Sequence, residues 1–177
     1  MNLPELSDRI LEELSSILHQ VHEKDVDKLV AGILSSDRIF AVGMGRSGLV
    51  ARSFAMRLMQ TGICAYVVGD STTPAIGEGD LLIVISGSGE TEMSYHIAAA
   101  AKRSKARVSL LTVRTMSSIG DISDLVLVLP DSPQPILPLM SAFEVAAQIF
   151  LDAVIILIME ETGVTEQEMM KRHSNLE

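Results

Sequence analysis

The chain of 177 residues has one cysteine, no tryptophan, two tyrosines and four phenylalanines. A lone Cys64 can form no intrachain disulfide and no cysteine cluster for zinc. Its place in an apolar run predicts a buried small hydrophobe in a reducing compartment. Aromatics at 3% leave almost nothing on which single-stranded bases could stack, and a net charge of −9 repels a phosphate backbone, so nucleic acid is excluded as a partner. Long apolar runs are scarce as well. The most membrane-like stretch, Val145 to Met159, spans 15 residues and contains Gln148 and Asp152, too short and too polar to cross a bilayer, and no membrane partner is expected. Glu5, Asp8 and Arg9 occupy the segment where a signal peptide needs an apolar core, which predicts a cytoplasmic protein.

What is present is enough for one core. Hydrophobic residues make up 47% and charged ones 21%, and the length fits one domain over 1–177, divided into N-terminal helices (1–36), an α/β core (37–130) and C-terminal helices (138–177). Apolar residues recur at helical spacing from Leu3 to Val21, and a second helix is expected from Asp25 to Leu34. Five β-runs follow: Arg38–Val42, Ile63–Val68, Leu81–Ile85, Arg107–Thr112 and Leu125–Leu129. Leu81–Ile85 is uninterruptedly apolar, as a strand buried on both faces must be. Helical spacing from Ser47 to Gln60 and from Glu90 to Arg103 separates them. This alternation predicts an α/β fold with an open, five-stranded parallel sheet, doubly wound and flanked by helices. After the proline-punctuated stretch Pro130–Pro138, a long helix is expected from Leu139 to Glu161 and a short one from Thr165 to Arg172.

Two loops stand out. Gly43-Met44-Gly45-Arg46-Ser47-Gly48 and Ser86-Gly87-Ser88-Gly89-Glu90-Thr91 each follow an apolar strand and lead into a helix. Glycines and small hydroxyls at a helix N-terminus gather backbone N–H groups and the positive end of the helix dipole at one spot, which suits a phosphate. Plain turn geometry accounts for the glycines but not for three hydroxyls in six residues.

Other motifs are weaker. Gly43-x-Gly45-x-x-Gly48 with Asp70 at the end of the next strand matches the dinucleotide fingerprint, but that reading leaves the second loop unexplained and puts the Ser47 hydroxyl where a pyrophosphate would crowd. Neither loop has the lysine or spacing of a Walker A motif. His19, His22 and Glu23 lack a fourth metal ligand, His96 makes a surface pair with Glu92, and Met56, Met59, Met140, Met159, Met169 and Met170 read as packing. No metal site is expected.

The first loop followed by Phe54-Ala55-Met56-Arg57-Leu58-Met59, together with Ile85-Ser86-Gly87-Ser88-Gly89-Glu90-Thr91, resembles the sugar isomerase (SIS) domain, and within it the 6-phospho-3-hexuloisomerase family. Val67-Val68-Gly69 ahead of Thr72-Thr73-Pro74, Phe143-Glu144 near the start of the long helix, and Arg172-His173 extend the likeness over nearly the whole chain. The resemblance implies a flavodoxin-like doubly wound fold, a homo-oligomer (tetramer or dimer) with sites at subunit junctions, and a phosphorylated sugar substrate. The implied reaction belongs to the ribulose monophosphate pathway and moves a ketone from C3 to C2 through a cis-enediol, giving fructose 6-phosphate without metal or organic cofactor.

By that resemblance Ser86, Ser88 and Thr91, with the Gly87, Gly89 and Glu90 amides, hold the phosphate. Ser47 and the Gly45 loop hold the far side of the sugar, with Arg46 near sugar or phosphate. His173 is implied as an acid/base group, reaching from the same or a neighbouring subunit. For the base, the residues point to Glu144: with Gln148 and Asp152 it forms a polar stripe every four residues on an apolar helix, where partial desolvation suits a proton acceptor. The stripe could equally be a solvated face. Glu90 is the rival base, poorer because a helix N-terminus favours its ionised form. Two other functions share these loops: a non-catalytic sugar-phosphate sensor, and an aldose–ketose phosphosugar isomerase.

Overall fold

Strands β1 (Ile39–Gly43) and β3 (Leu81–Ile85) are apolar along their length because both faces of the sheet are covered. They pair in parallel from Ile39↔Leu81 to Gly43↔Ile85, which brings their carboxyl ends level. With β2 (Ala65–Val67), β4 (Arg107–Thr112) and β5 (Leu125–Val128) they form a five-stranded sheet of order β2-β1-β3-β4-β5. All pairings are parallel. The chain leaves β1 towards one edge and β3 towards the other, so the order reverses between them. That switch point is where open α/β sheets bind ligands, and both glycine loops emerge there.

The computed structural model describes residues 2–132 and 134–176. Alternate side chains of β1 separate two cores: Ile39 and Ala41 join the one built with α1 (Leu3–Leu18), α2 (Glu23–Leu34), α3 (Arg46–Thr61) and α5 (Ser141–Thr162). Phe40 and Val42 face the opposite core under α4 (Glu92–Arg103). A short α6 (Glu166–Lys171) closes the described fold, opened by a capping box in which Thr165 and Glu168 satisfy each other's backbone N–H groups. The sheet and helices are those the residue pattern predicts.

The differences lie at the ends of elements. Helix α4 begins at Glu92, not Glu90, because Thr91 stays extended (φ −64, ψ 112). Helix α5 begins at Ser141, because Leu139 and Met140 both adopt left-handed backbone (φ 57 and 59). It runs 22 residues and by length and composition could cross a membrane, yet half of its most apolar window is buried against the sheet and neighbouring helices, as in a core helix. Cys64 is exposed, correcting the expectation of burial. It precedes β2, a three-residue edge strand paired only with β1, where no second strand covers it. Met56, Met59, Met140 and Met170 are likewise exposed rather than packed inside the chain, whereas Met169 is buried.

Candidate active site

The first loop turns because only glycine fits it. A Cβ on Gly43 would lie 2.5 Å from the Ser47 carbonyl oxygen, and Gly45 holds φ 58, ψ −130 at the N-cap of α3. No side chain caps α3, and its first-turn N–H groups face the carboxyl edge of the sheet with Ser47 buried among them. The second loop repeats the device. Thr91 occupies the N-cap of α4 without capping it; its hydroxyl lies 3.2 Å from the Ser86 hydroxyl instead. Two uncapped helix N-termini thus face one region, each with its positive dipole end open to an anion.

The second loop is braced from outside. The Gly87 carbonyl accepts from the Val113 N–H and the Thr112 hydroxyl, the Gly89 N–H donates to the Ser86 carbonyl, and the Glu90 N–H donates to the Ser88 hydroxyl. The Glu90 carboxylate accepts from the Ser118 hydroxyl (2.6 Å) and the Ser118 N–H (2.8 Å). Those two bonds, the hydroxyl's first, hold its pKa below the ordinary glutamate value against a small opposing effect of desolvation. The direction is the one expected from the helix N-terminus, but the cause is Ser118, a residue that sequence reading passed over because no local signal ties it to Glu90.

Glu144 enters from α5. Its side chain is 16% exposed, and Oε2 lies 3.3 Å from Arg46 Nε. The pair is an ion pair without an aligned hydrogen bond, so Oε2 is buried and keeps an acceptor site open. Arg46 donates its hydrogen bond to the Leu139 carbonyl at 2.6 Å. Phe143 and Met140 sit against Gly87, where an added Cβ would come within 3.1 and 3.5 Å of them, so the start of α5 lies over the second loop. The polar stripe below Glu144 is answered by α3: Gln148 donates to Asp152, and Asp152 lies 3.3 Å from Arg57 Nε. The seam lies at a solvated edge, since the Arg57 and Asp152 side chains both stay more than a third exposed. A cleft of about 520 Å³ adjoins this corner, lined by Leu139, Met140, Ala142 and Glu13.

The structure therefore brings Gly45, Arg46, Ser47, Ser86, Gly87, Ser88, Gly89, Thr91 and Glu144 to one edge, with Glu90 turned aside to Ser118. His173 is elsewhere in the chain. It is exposed, its Nδ1 lies 3.0 Å from the Ser174 carbonyl, and it shares a cleft with Arg57, Gln60 and Met170. The neighbouring Arg172 donates to the Gln60 carbonyl at the far end of α3, roughly 20 Å from that helix's N-terminus at 1.5 Å per residue. Asp70, the acid a dinucleotide ribose would need, is paired with Arg52 at 2.8 Å.

The SIS domain family model matches residues 32–157, which contain both loops and Glu144. The chain belongs to the SIS domain family. Among its relatives, a Bacillus subtilis protein named 3-hexulose-6-phosphate isomerase is 43% identical, with the whole of each chain covered. A Methanocaldococcus jannaschii protein of the same name is 41% identical over 85% of this chain and 83% of its own. A crystal structure of a Methanococcus jannaschii protein, described as inferring a 3-hexulose-6-phosphate isomerase function, superposes on this SIS domain with a TM-score of 0.87 at 36% identity, covering 94% of this chain and 98% of that one. The span that matches the SIS model contains both serine-glycine loops.

Proposed function

We propose that this SIS domain is a 3-hexulose-6-phosphate isomerase of the ribulose monophosphate pathway, interconverting hex-3-ulose 6-phosphate and fructose 6-phosphate. The observation that carries the reading is a Glu144 carboxylate with an open acceptor site, set beside two uncapped helix N-termini, in a chain matched end to end by a relative of that name.

The substrate phosphate binds the second loop, held by the Ser86, Ser88 and Thr91 hydroxyls, the Gly87 amide and the first turn of α4. Its arrival draws the Ser88 hydroxyl from the Glu90 N–H and frees that amide for the phosphate as well. Ser47 and the Gly45 loop hold the far end of the sugar. Glu144 removes the proton from C2, the electrons form a double bond between C2 and C3, and the C3 oxygen takes up negative charge. Arg46 and the α3 N-terminus stabilise that enediolate. The proton returns to C3 while the C2 hydroxyl proton passes to the C3 oxygen, which leaves the ketone at C2 and a hydroxyl at C3. Glu90, ionised and engaged by Ser118, braces the phosphate loop rather than acting as the base.

The reading includes a homo-oligomer working in the cytoplasm. Leu49, Met56 and Met59 on α3 and Val145, Ile149 and Ile156 on α5 leave apolar stripes exposed on adjacent helices, an area a second copy would cover. In that assembly His173 of the partner subunit reaches the sugar and moves protons between its oxygens. The test is NMR of fructose 6-phosphate in D₂O with the purified protein. Deuterium at C3 and a 3-keto hexulose phosphate are expected. Exchange at C1 would make the protein an aldose–ketose isomerase, and binding without exchange would make it a sensor.

A further inference from the structure

The described structure buries two carboxylates, Asp80 and Glu13, and treats them differently. Asp80 is neutralised by the Arg38 guanidinium, at 2.7 and 2.9 Å, and accepts from the Gly77 N–H. Glu13, on α1 and 4% exposed, is turned instead to backbone. Its Oε2 accepts from the backbone N–H groups of Ile136 (3.1 Å) and Leu137 (3.2 Å), and its Oε1 is buried without a partner. A buried carboxylate spent on two amides of a distant loop is costly unless those amides matter where they are.

The loop it holds leads directly into the reacting corner. Three residues after Ile136 the chain enters left-handed backbone at Leu139 and again at Met140, a conformation that costs a non-glycine residue about 1–2 kcal/mol and persists only when its surroundings enforce it. The Ser141 N–H and hydroxyl close the turn on the Pro138 carbonyl at 3.0 and 2.6 Å, and the strap is tied down at its two ends by Glu13 on the Ile136 and Leu137 amides and by Arg46 on the Leu139 carbonyl at 2.6 Å. Leu137 packs on the core, while a cleft of about 520 Å³ leaves the strap open on its other side. Met140 is the N-cap of α5, so the strap's position sets where Glu144 stands, one turn into the helix, against Arg46.

We infer that Glu13 is a positioning residue: it clamps strap 136–140 from α1 and so holds Glu144 and Arg46 in reacting geometry. The inference rests on the reading of Glu144 as the base. Displacing a reacting group by about 1 Å costs on the order of 100-fold in rate. Glu13 touches neither phosphate loop, so losing it should lower kcat and leave KM nearly unchanged.

The test compares Glu13→Gln, which retains a carbonyl acceptor for both amides, with Glu13→Met, which keeps the bulk and removes the acceptor. Both are assayed with fructose 6-phosphate well below their melting temperatures, and amide hydrogen exchange is followed at Ile136 and Leu137. We expect Glu13→Met to lower kcat roughly 10–100-fold with KM within a few fold. Exchange at the two amides should rise, and Glu13→Gln should recover most of the rate. A folded Glu13→Met protein with wild-type kcat would overturn the inference, as would a fall in kcat that Glu13→Gln fails to recover. If Glu13→Met does not fold, Glu13→Gln decides alone: protected amides with near-wild-type kcat support the clamp, and protected amides with a lost rate overturn it. Turnover retained by Glu144→Gln would instead overturn the base assignment, while the amide exchange would still report whether Glu13 holds the strap.

Discussion

Arg46 Nε lies 3.3 Å from Glu144 Oε2, tying the first turn of α3 to the first turn of α5. One contact thereby joins the first glycine loop to the helix that covers the second, and places the proposed base between two positive helix ends. The same guanidinium hydrogen-bonds the Leu139 carbonyl, so the loop, the strap and the base form one unit.

Glu144→Gln keeps the shape and a hydrogen-bonding group but cannot accept a proton. Turnover should fall at least about 100-fold, the usual worth of a general base, while the affinity for fructose 6-phosphate stays within a few fold. Paired kinetics and calorimetry would show it, and loss of binding in step with turnover would contradict the assignment.

Ser86→Ala and Ser88→Ala each remove a hydroxyl from the proposed phosphate site. A hydrogen bond to a charged group contributes about 1.5–3 kcal/mol, so each variant should bind fructose 6-phosphate roughly 10–100-fold more weakly. Because Ser86 is buried and bonded to Thr91, its replacement should also lower thermal stability, whereas exposed Ser88 should not.

Gly43 and Gly45 should respond differently to alanine. At Gly43 a Cβ meets backbone, the Ser47 oxygen at 2.5 Å and the Gly48 nitrogen at 2.9 Å, so the loop must open, at a cost of about 1–3 kcal/mol. That is a melting point lower by roughly 4–8 °C if the cost is about 2 kcal/mol, with substrate affinity lost as well. At Gly45 nothing lies within 4 Å, but φ 58 with ψ −130 is backbone that essentially only glycine adopts, so alanine is penalised by strain alone, at about 1–3 kcal/mol.

The pKa of Glu90 is lowered in the folded protein, first by the Ser118 hydroxyl and then by the Ser118 N–H. The folded form therefore favours the carboxylate. The stabilisation is fully present above the unfolded value, near 4.5, and is lost as pH falls through the lower folded value. In an NMR titration the Ser118 amide should hold its position through pH 4.5 and move only below it. Glu90→Gln should abolish that movement, and a Ser118 shift centred near neutral pH would refute the link.

His173→Ala and Glu144→Gln should each be nearly inactive alone. If the two residues of one site come from different subunits, dissociating and reassembling an equimolar mixture should restore about a quarter of the wild-type sites by random pairing. No recovery in mixed oligomers verified by mass spectrometry would place His173 outside the site.

The sheet was legible because strand and helix periods differ and glycine punctuates both: the runs Leu81–Ile85 and Arg107–Thr112 appear in the structure with the residues that the pattern delimits. The two loops were legible for the same reason, since their glycines and small hydroxyls stand close together in sequence. Strand β2 was less so. Its six-residue apolar run pairs over three residues, because at an edge only one neighbour fixes its length.

Residues close in sequence thus determined the fold class, the family and the two glycine loops, since the physics of a period or a turn is local. Contacts far apart in sequence were decided only by the tertiary structure. Glu90 meets Ser118, Arg46 meets Glu144 and Leu139, and Glu13 meets Ile136 and Leu137, pairs that no spacing announces. His173 is set roughly 20 Å from the loops by the length of α3. A carboxylate takes its role from the donors and charges around it, and those neighbours exist only once the sheet has brought the helices together.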